Sequence, residues 1–560
     1  MTNYQFTGGT ICAPATIPGT GAISIIRVSG KEALAIADKI IDTKGVPIAE
    51  TEGYRLRYGT VFEADGSVLD NVIVSVFRAP HSYTGENSVE ISCHASRFIV
   101  NKILELLVNA GARIAAPGEF TRRAFVNGKM DLAQAEAVAD VIASQSAASH
   151  RVAMNQLKGG FSSELKVLRE KLLTMTSLLE LELDFSEEDV EFASRKELGQ
   201  LVDDSLTHIR RLTASFSRGN AIKNGVPVAI VGATNTGKST LLNALLGEER
   251  AIVSDIAGTT RDTIEETLNI DGILFRFIDT AGIRETDETI EKIGIDRTFK
   301  KLGEATVVLG MTDLSRGEAA VLEDADFILS KVNEMSGVKN VAAVNDGSET
   351  GGTPLAGTDG TSLAETGGTP LAETGGVSPA ETSRASQHSH GDGQERKVVI
   401  LVNKCDVAGD FYRDDNGTGY GSGNDLGKDL AEIGDNKNVN HDNNIVSLIE
   451  NKYDNCKVIP ISAKTGKGLS TLTKTLGEIG SEITGSTDET LVTNVRHYEA
   501  LVRAASALER VRAGLHISTL PPDLIAQDLR EALYHLGEIV GEISTDETLG
   551  NIFRNFCIGK

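Results

Sequence analysis

Long apolar runs are missing from this chain. Nothing approaches the roughly 18 consecutive apolar residues of a membrane-spanning helix, so no span is expected. The first residues lack a basic stretch followed by an apolar one, so no signal peptide is expected either. Cysteine is scarce: Cys12, Cys93, Cys405, Cys456 and Cys557 are scattered, with no C-x-x-C pair. That suggests neither a disulfide framework nor a zinc site, and it fits a reducing compartment. Positive charge is in deficit, with a net charge of −24. Broad affinity for nucleic acid needs a basic surface, so a general nucleic-acid coat is disfavoured; a local basic patch, or a partner that carries the charge, stays open. At 560 residues the chain has room for about three or four domains, each with its own core.

What is present is organised around Gly232-Ala233-Thr234-Asn235-Thr236-Gly237-Lys238-Ser239, a G-x-x-x-x-G-K-[ST] phosphate loop. Val228–Val231 read as a short buried strand before it, and Thr240 to Leu245 as the start of a helix after it. The glycines let backbone N–H groups face a phosphate chain, and the helix N-terminus adds partial positive charge. Lys238 supplies a full charge for the outer phosphates, and Ser239 a hydroxyl for Mg²⁺.

Residues 1–130 read as an α+β domain, with strands at Ile23–Val28, Val72–Phe77 and Val89–Ser92. A helix is expected over Arg97–Ala110, with Phe98, Ile99, Ile103, Leu106 and Leu107 on one face. Arg27 and Glu90 sit inside apolar strands, and Lys129 at a Gly-Lys turn before a helix. Taken alone, each reads more readily as a solvated or paired charge than as a ligand contact. Residues 131–225 are helical, most clearly through Phe161, Leu165, Leu168, Leu172, Met175, Leu179 and Leu183. The acidic cluster Asp184, Glu187, Glu188, Asp189 and Glu191 reads as a solvated turn.

Residues 226–478 alternate strands and helices, as a mostly parallel sheet requires. Further strands are expected at Glu265–Ile270, Ile273–Ile278, Ala305–Met311, Val398–Asn403 and Lys457–Ile461. Two insertions break the rhythm. The first, about 335–396, carries an octapeptide repeat from Pro354 rich in Gly, Thr, Ser and Pro, which cannot bury a core; His388 and His390 lie in its tail. The second, about 408–445, is rich in Gly, Asp and Asn. Residues 479–560 are helical again, with Val495, Tyr498, Val502, Ala505, Leu508 and Val511 at helical spacing. Pro521-Pro522 breaks that run before a helix over Asp523–Ile543.

Partner motifs follow the phosphate loop in order. In Gly258-Thr259-Thr260-Arg261-Asp262 a threonine can reach Mg²⁺ and sense a γ-phosphate. Asp279-Thr280-Ala281-Gly282 ends an apolar strand; Asp279 would hold Mg²⁺ through water, and the Gly282 N–H would meet the γ-phosphate. In Asn403-Lys404-Cys405-Asp406 the Asp406 carboxylate can accept from N1–H and the 2-amino group of guanine. Adenine lacks that donor pair, so GTP is selected over ATP. Ser462-Ala463-Lys464 can contact the base through its backbone. Each piece is weak alone; together they imply GTP. The residue after Gly282 is Ile283, which cannot orient a water, so a polar group must come from elsewhere, and Asp287-Glu288-Thr289-Ile290-Glu291 is the nearest source. Asn235 could hold a monovalent cation against the phosphates or simply bond its own backbone.

With these motifs go Ile26-Arg27-Val28-Ser29-Gly30, Ser82-Tyr83-Thr84-Gly85-Glu86, Pro117-Gly118-Glu119-Phe120, Lys129 to Glu136, and a terminal Phe-Cys-Ile-Gly-Lys. The chain thereby resembles the MnmE (TrmE) family of tRNA modification GTPases, from Ile11 to Lys560 apart from the two insertions. The resemblance implies a multidomain α/β protein: an N-terminal α+β domain for tetrahydrofolate binding and dimerisation, a central helical bundle built from two chain segments, and an inserted Ras-like G domain. It implies nucleotide contacts at Asn235, Thr236, Gly237, Lys238, Ser239 and Thr240, and at Ser254, Asp255, Ile256, Ala257, Gly258, Thr259 and Thr260. Further contacts fall on Asp279, Thr280, Ala281, Gly282, Asn403, Lys404, Asp406, Ser462, Ala463 and Lys464. Mg²⁺ falls on Ser239 and Thr260, K⁺ on Asn235, Ser254, Ile256 and Thr259, and the catalytic acid on Glu291. A 5-formyltetrahydrofolate or related tetrahydrofolate falls on Arg27, Glu90, Lys129 and Lys560. The implied setting is a cytoplasmic homodimer working with an MnmG-like FAD protein, in a heterotetramer, on the wobble uridine of certain tRNAs, with no membrane. The chain departs from the family at Thr234, usually Pro, and at His94-Ala95-Ser96, usually a His-Gly-Gly run. A GTP-dependent ribosome-assembly or signalling switch is the alternative, and it would call for an RNA-binding module after the G domain.

Overall fold

The structure is a computed structural model. It describes residues 8–19, 21–63, 65–184, 195–249, 266–278, 303, 305–336, 396–406, 445–453, 456–485, 489–516, 521–554, 556 and 559. The octapeptide repeat with His388 and His390, nearly all of both insertions, and the acidic cluster from Glu187 onward lie outside the described residues.

The first sheet has seven strands: β1 (Ile11–Pro14), β2 (Ile23–Ser29), β3 (Ile41–Asp42), β4 (Arg55–Phe62), β5 (Val68–Phe77), β6 (Ser88–His94) and β7 (Arg113–Ile114). Their order is β3-β4-β5-β6-β2-β1-β7, antiparallel throughout except the β1–β7 pair. Period-two alternation puts Ile26, Val28, Val72, Val74, Val76, Val89 and Ile91 on one face, under helices α1 (Ala33–Ile40) and α2 (Arg97–Asn109). In α2, Ile103 and Leu107 are buried as expected, but Phe98 is 59% exposed. At about 100° per residue, Phe98 lies roughly 140° round the helix from Ile103, outside the core stripe. After α3 (Glu119–Val126), Asp131 caps α4 (Leu132–Ala143) in a capping box with Gln134.

α5 (Ala147–Leu157), α6 (Gly160–Asp184), α7 (Arg195–Ala214) and α8 (Phe216–Asn224) lead to the second sheet. Its strands are β8 (Val226–Gly232), β9 (Glu266–Ile270), β10 (Ile273–Ile278), β11 (Val307–Asp313), β12 (Lys397–Asn403) and β13 (Cys456–Pro460). The order is β13-β12-β11-β8-β10-β9, parallel except for the β9–β10 hairpin. Parallel strands are covered on both faces. α9 (Lys238–Glu249) and α12 (Leu469–Thr484) cover one face; α10 (Glu318–Ser336) and α11 (Ile445–Lys452) cover the other.

The chain then returns through α13 (Val495–Leu515), α14 (Pro522–Val540) and α15 (Asp546–Arg554). α6, α7, α13 and α14 share one core, so the bundle is built from segments on both sides of the second sheet. The core face of α13 is Ala500, Leu501, Ala504, Ala507, Leu508 and Val511; Val495 and Val502, assigned to it from spacing, are exposed. Small alanines bury the stripe, which a reading weighted to large side chains overlooks. Pro522 opens α14 at its first turn, where a missing N–H costs nothing, and left-handed Gly541 ends it before Ile543. Among the described residues no helix is long and apolar enough to cross a membrane.

Candidate functional site

β8 lies between β10 and β11, and its carboxyl end opens into the phosphate loop, the usual ligand position in an open α/β sheet. Gly232 has φ 156° and Gly237 φ 97°. A Cβ on Gly232 would lie 2.3 Å from the Met311 carbonyl oxygen, and one on Gly237 2.4 Å from Asn403 Nδ2. Both positions therefore exclude a side chain. Between them Asn235 is left-handed at φ 62°, a conformation asparagine tolerates better than most residues. Lys238 Nζ folds over the loop and donates to the Gly232 and Ala233 carbonyls at 3.0 and 2.8 Å. Burial pushes the Lys238 pKa down, so an anionic oxygen entering the loop would supply the stabilisation that water no longer gives. Ser239 is half-buried and Thr240 exposed in the first turn of α9.

One side chain ties the phosphate loop to the Ser462–Lys464 loop. Asn403, at the end of β12, donates from Nδ2 to the Thr236 carbonyl at 2.7 Å, and its Oδ1 accepts from the Ala463 N–H at 3.0 Å. Thr236 is fully buried, and its hydroxyl donates to the Ala233 carbonyl at 2.9 Å. Ser462 is also fully buried, its Oγ accepting from the Thr465 N–H at 3.2 Å, while Lys464 is exposed. Asp406 is half-buried in the turn after β12. The structure thus gathers Asn235–Thr240, Asn403–Asp406 and Ser462–Lys464 along one sheet edge. Ser254–Thr260, Asp279–Gly282 and the stretch Asp287–Glu291 lie outside the described residues; β10 ends one residue before Asp279. Asp313, which no motif contains, pairs with Lys404 Nζ at 2.6 Å. The available signal was an apolar strand ending in a carboxylate.

On the first sheet, Arg27 and Glu90 are cross-strand partners. Arg27 Nε and Nη2 donate to Glu90 Oε1 at 2.9 and 2.8 Å. The guanidinium lies 5.2 Å from the ring centre of Tyr83 and 5.7 Å from that of Phe120, within cation–π range. Its Nη1 reaches the Gly559 carbonyl at 3.5 Å, which brings the C-terminal end of the chain to this site. Gly559 fits because it has no side chain: a Cβ would lie 2.1 Å from the Pro14 carbonyl oxygen. Cys557 and Lys560 lie outside the described residues. Lys129 Nζ donates to the Pro80 carbonyl at 3.1 Å, so it holds the loop that carries Tyr83. That loop is fixed from below as well. Arg123, 2% exposed, binds Glu86 Oε2 and Glu119 Oε1, both at 3.0 Å. Burial pushes Glu119 up, but hydrogen bonds from Arg113, the Ala116 N–H and Arg123 outweigh it and hold the carboxyl below its usual range. Residue patterns gave Tyr83, Phe120 and Arg123 no role; Tyr83 and Phe120 stood inside motifs that carry the family resemblance, and nothing in the sequence marked Arg123.

Comparison with known proteins bears on both halves. The family described as "GTP-binding protein TrmE N-terminus" matches residues 10–129, and "MnmE helical domain" matches residues 132–557. The chain is 44% identical over 554 residues to the tRNA modification GTPase MnmE of Parabacteroides distasonis, covering 98% of this chain and 100% of that one. It is 42% identical over 562 residues to that of Porphyromonas gingivalis, covering 100% and 99%. For that of Flavobacterium johnsoniae the identity is 43% over 552 residues, covering 98% and 99%.

Proposed function

The chain belongs to the MnmE (TrmE) family of tRNA modification GTPases, and from that premise we propose how its two sites divide the work. As a GTP hydrolase it binds nucleotide at the carboxyl edge of the second sheet. The observation that carries this reading is Asn403, which joins the phosphate loop to the Ser462–Lys464 loop through both ends of its amide. Lys238 meets the outer phosphates and Asp406 selects guanine. Mg²⁺ would be held by Ser239 and Thr260, and K⁺ by Asn235, Ser254, Ile256 and Thr259; the left-handed turn at Asn235 suits a side chain set against the phosphates. K⁺ there would supply positive charge toward the transferring phosphoryl group. Glu291 would position the attacking water.

The first site would take a tetrahydrofolate one-carbon donor. Arg27 and Glu90 offer a fixed guanidinium and carboxylate above Tyr83, with Lys129 and Lys560 as flanking cations. The outer face of the first sheet exposes Ile23, Leu56, Tyr58 and Ile73, an apolar surface that supports the reading of a homodimer formed through this domain. The division is residues 1–130 for folate and dimerisation, 131–225 with 479–560 for the bundle, and 226–478 for the G domain. With an MnmG-like flavoprotein, in the cytoplasm, the dimer would add an aminomethyl-type group to C5 of the wobble uridine. GTP hydrolysis drives rearrangement of the domains. The full-length match displaces the ribosome-assembly or signalling reading. The test is GTP turnover by the purified chain in KCl and in NaCl, with Glu291→Ala beside it. Faster turnover in KCl, lost in the variant with nucleotide still bound, supports the reading. Equal rates in the two salts remove K⁺, and turnover by the variant removes Glu291.

A further inference from the structure

Lys404 is held from a position that no motif predicts. Asp313 is the last residue of β11 and lies in register with Asn403 of β12. Its side chain is 7% exposed, and both carboxylate oxygens are used. Oδ1 accepts from the Ser315 N–H at 3.0 Å and from the Ser315 hydroxyl at 2.6 Å; Oδ2 accepts from Lys404 Nζ at 2.6 Å. Lys404 itself is left-handed at φ 66°, a conformation a lysine adopts only where its surroundings fix it. Its side chain is 35% exposed, so the ammonium is anchored while part of the stem faces outward. That stem crosses from β12 to β11, and in sequence Lys404 follows Asn403, which holds the phosphate loop, and precedes Asp406, which the GTP reading sets against the base.

We propose that Asp313 is a positioning residue for guanine-nucleotide binding: by anchoring the Lys404 ammonium it fixes the lysine's hydrocarbon stem as a wall beside the guanine that Asp406 selects. This rests on the GTP reading above. Burial pushes the Asp313 carboxyl up, but hydrogen bonds from Lys404 and Ser315 outweigh it and keep the group ionised, consistent with a permanent anchor. A flexible lysine would lose rotamer freedom when nucleotide binds; an anchored one has already lost it, so the anchor shows chiefly in how long nucleotide stays bound.

The competing role for Asp313 is to cap the short turn Leu314–Arg316 through Ser315, and the test separates the two. Release of a fluorescent GDP analogue and KM for GTP are measured on the full chain for wild type, Asp313→Asn, Ser315→Ala, Lys404→Met and the Asp313→Asn/Lys404→Met double variant. Asp313→Asn is expected to speed release about three- to tenfold and to raise KM by a similar factor, the change falling on KM rather than kcat. Ser315→Ala, which spares the ion pair, is expected to release at the wild-type rate. In the Lys404→Met background Asp313→Asn is expected to change nothing further, because the group it acts through is gone. Wild-type release from Asp313→Asn, equal effects of Asp313→Asn and Ser315→Ala, or additive effects in the double variant would each overturn the proposal. A wild-type chain that retains no guanine nucleotide would overturn the GTP reading itself, and this inference with it.

Discussion

Glu136 and His497 lie 361 positions apart in sequence, yet Glu136 Oε2 and His497 Nε2 approach to 2.6 Å inside the helical bundle. Each belongs to a different chain segment, so the contact closes the bundle across the inserted sheet. Arg496 adds Nε and Nη2 to the same carboxylate at 3.0 and 3.1 Å, and its remaining donors reach the Glu538 and Ile539 carbonyls of α14. The Phe161 ring stacks on His497 at 5.3 Å.

This cluster makes stability depend on pH in a stated direction. Burial pushes the Glu136 carboxyl up, but His497 and Arg496 outweigh it and bring it from the ordinary 4.5 to about 2. A carboxyl depressed in the folded state stabilises above its unfolded value and loses that contribution as pH falls through the folded value. Glu136→Gln should therefore cost on the order of 3 kcal/mol near neutrality. Its deficit against wild type should shrink as pH drops from 4.5 toward 2. Urea unfolding at a series of pH values measures this, and a deficit equally large at pH 7 and at the acid end would rule it out.

The Arg27–Glu90 pair gives a second prediction. Glu90→Gln leaves the shape of the site but removes the charge that orients Arg27. Affinity for 5-formyltetrahydrofolate, measured by calorimetry, is expected to fall about tenfold or more, as for loss of a charge-assisted contact. GDP affinity, which belongs to the other sheet, is expected to stay at the wild-type value. Unchanged folate affinity in the variant would remove this pair from the site.

A third prediction concerns packing beneath the nucleotide sheet. Gly480 lies in α12 against β10, and a Cβ there would sit 2.7 Å from Phe275 Cζ, in a fully buried ring. Alanine gains about 1 kcal/mol of helix propensity over glycine, while overpacking a core costs about 1–3 kcal/mol. Gly480→Ala is therefore expected to destabilise the chain by up to about 2 kcal/mol. A melting temperature above that of wild type would contradict it.

Much of this architecture was legible in the residues because two periods dominate them. The second sheet reads as short apolar runs ending at motif residues, and β10 over Ile273–Ile278 matches its expected limits. Elements whose character comes from partners were harder to read. β1 and the two-residue β3 and β7 carry too few residues for a period, and they exist because neighbouring strands supply their hydrogen bonds. In α13 the expected stripe was displaced because Ala500, Ala504 and Ala507 do the burying. At the candidate nucleotide site, contiguous motifs pointed directly to Lys238, Asn403 and Asp406. Asp313 acts from another strand and becomes visible only when register sets it beside Asn403. Likewise the pairing of Arg27 with Glu90, and the arrival of Gly559 beside them, are products of topology that spacing along the chain does not encode.

The most direct test of the whole account joins the nucleotide site to the tRNA product. Wobble-uridine nucleosides are analysed in tRNA from cells lacking this gene, and from the same cells carrying either the wild-type gene or its Lys238→Ala variant. The account predicts that the C5 modification disappears without the gene, returns with the wild-type copy and stays absent with the variant. TRNA that keeps the modification without the gene, or regains it with Lys238→Ala, would contradict the claim that GTP bound at this loop powers the modification.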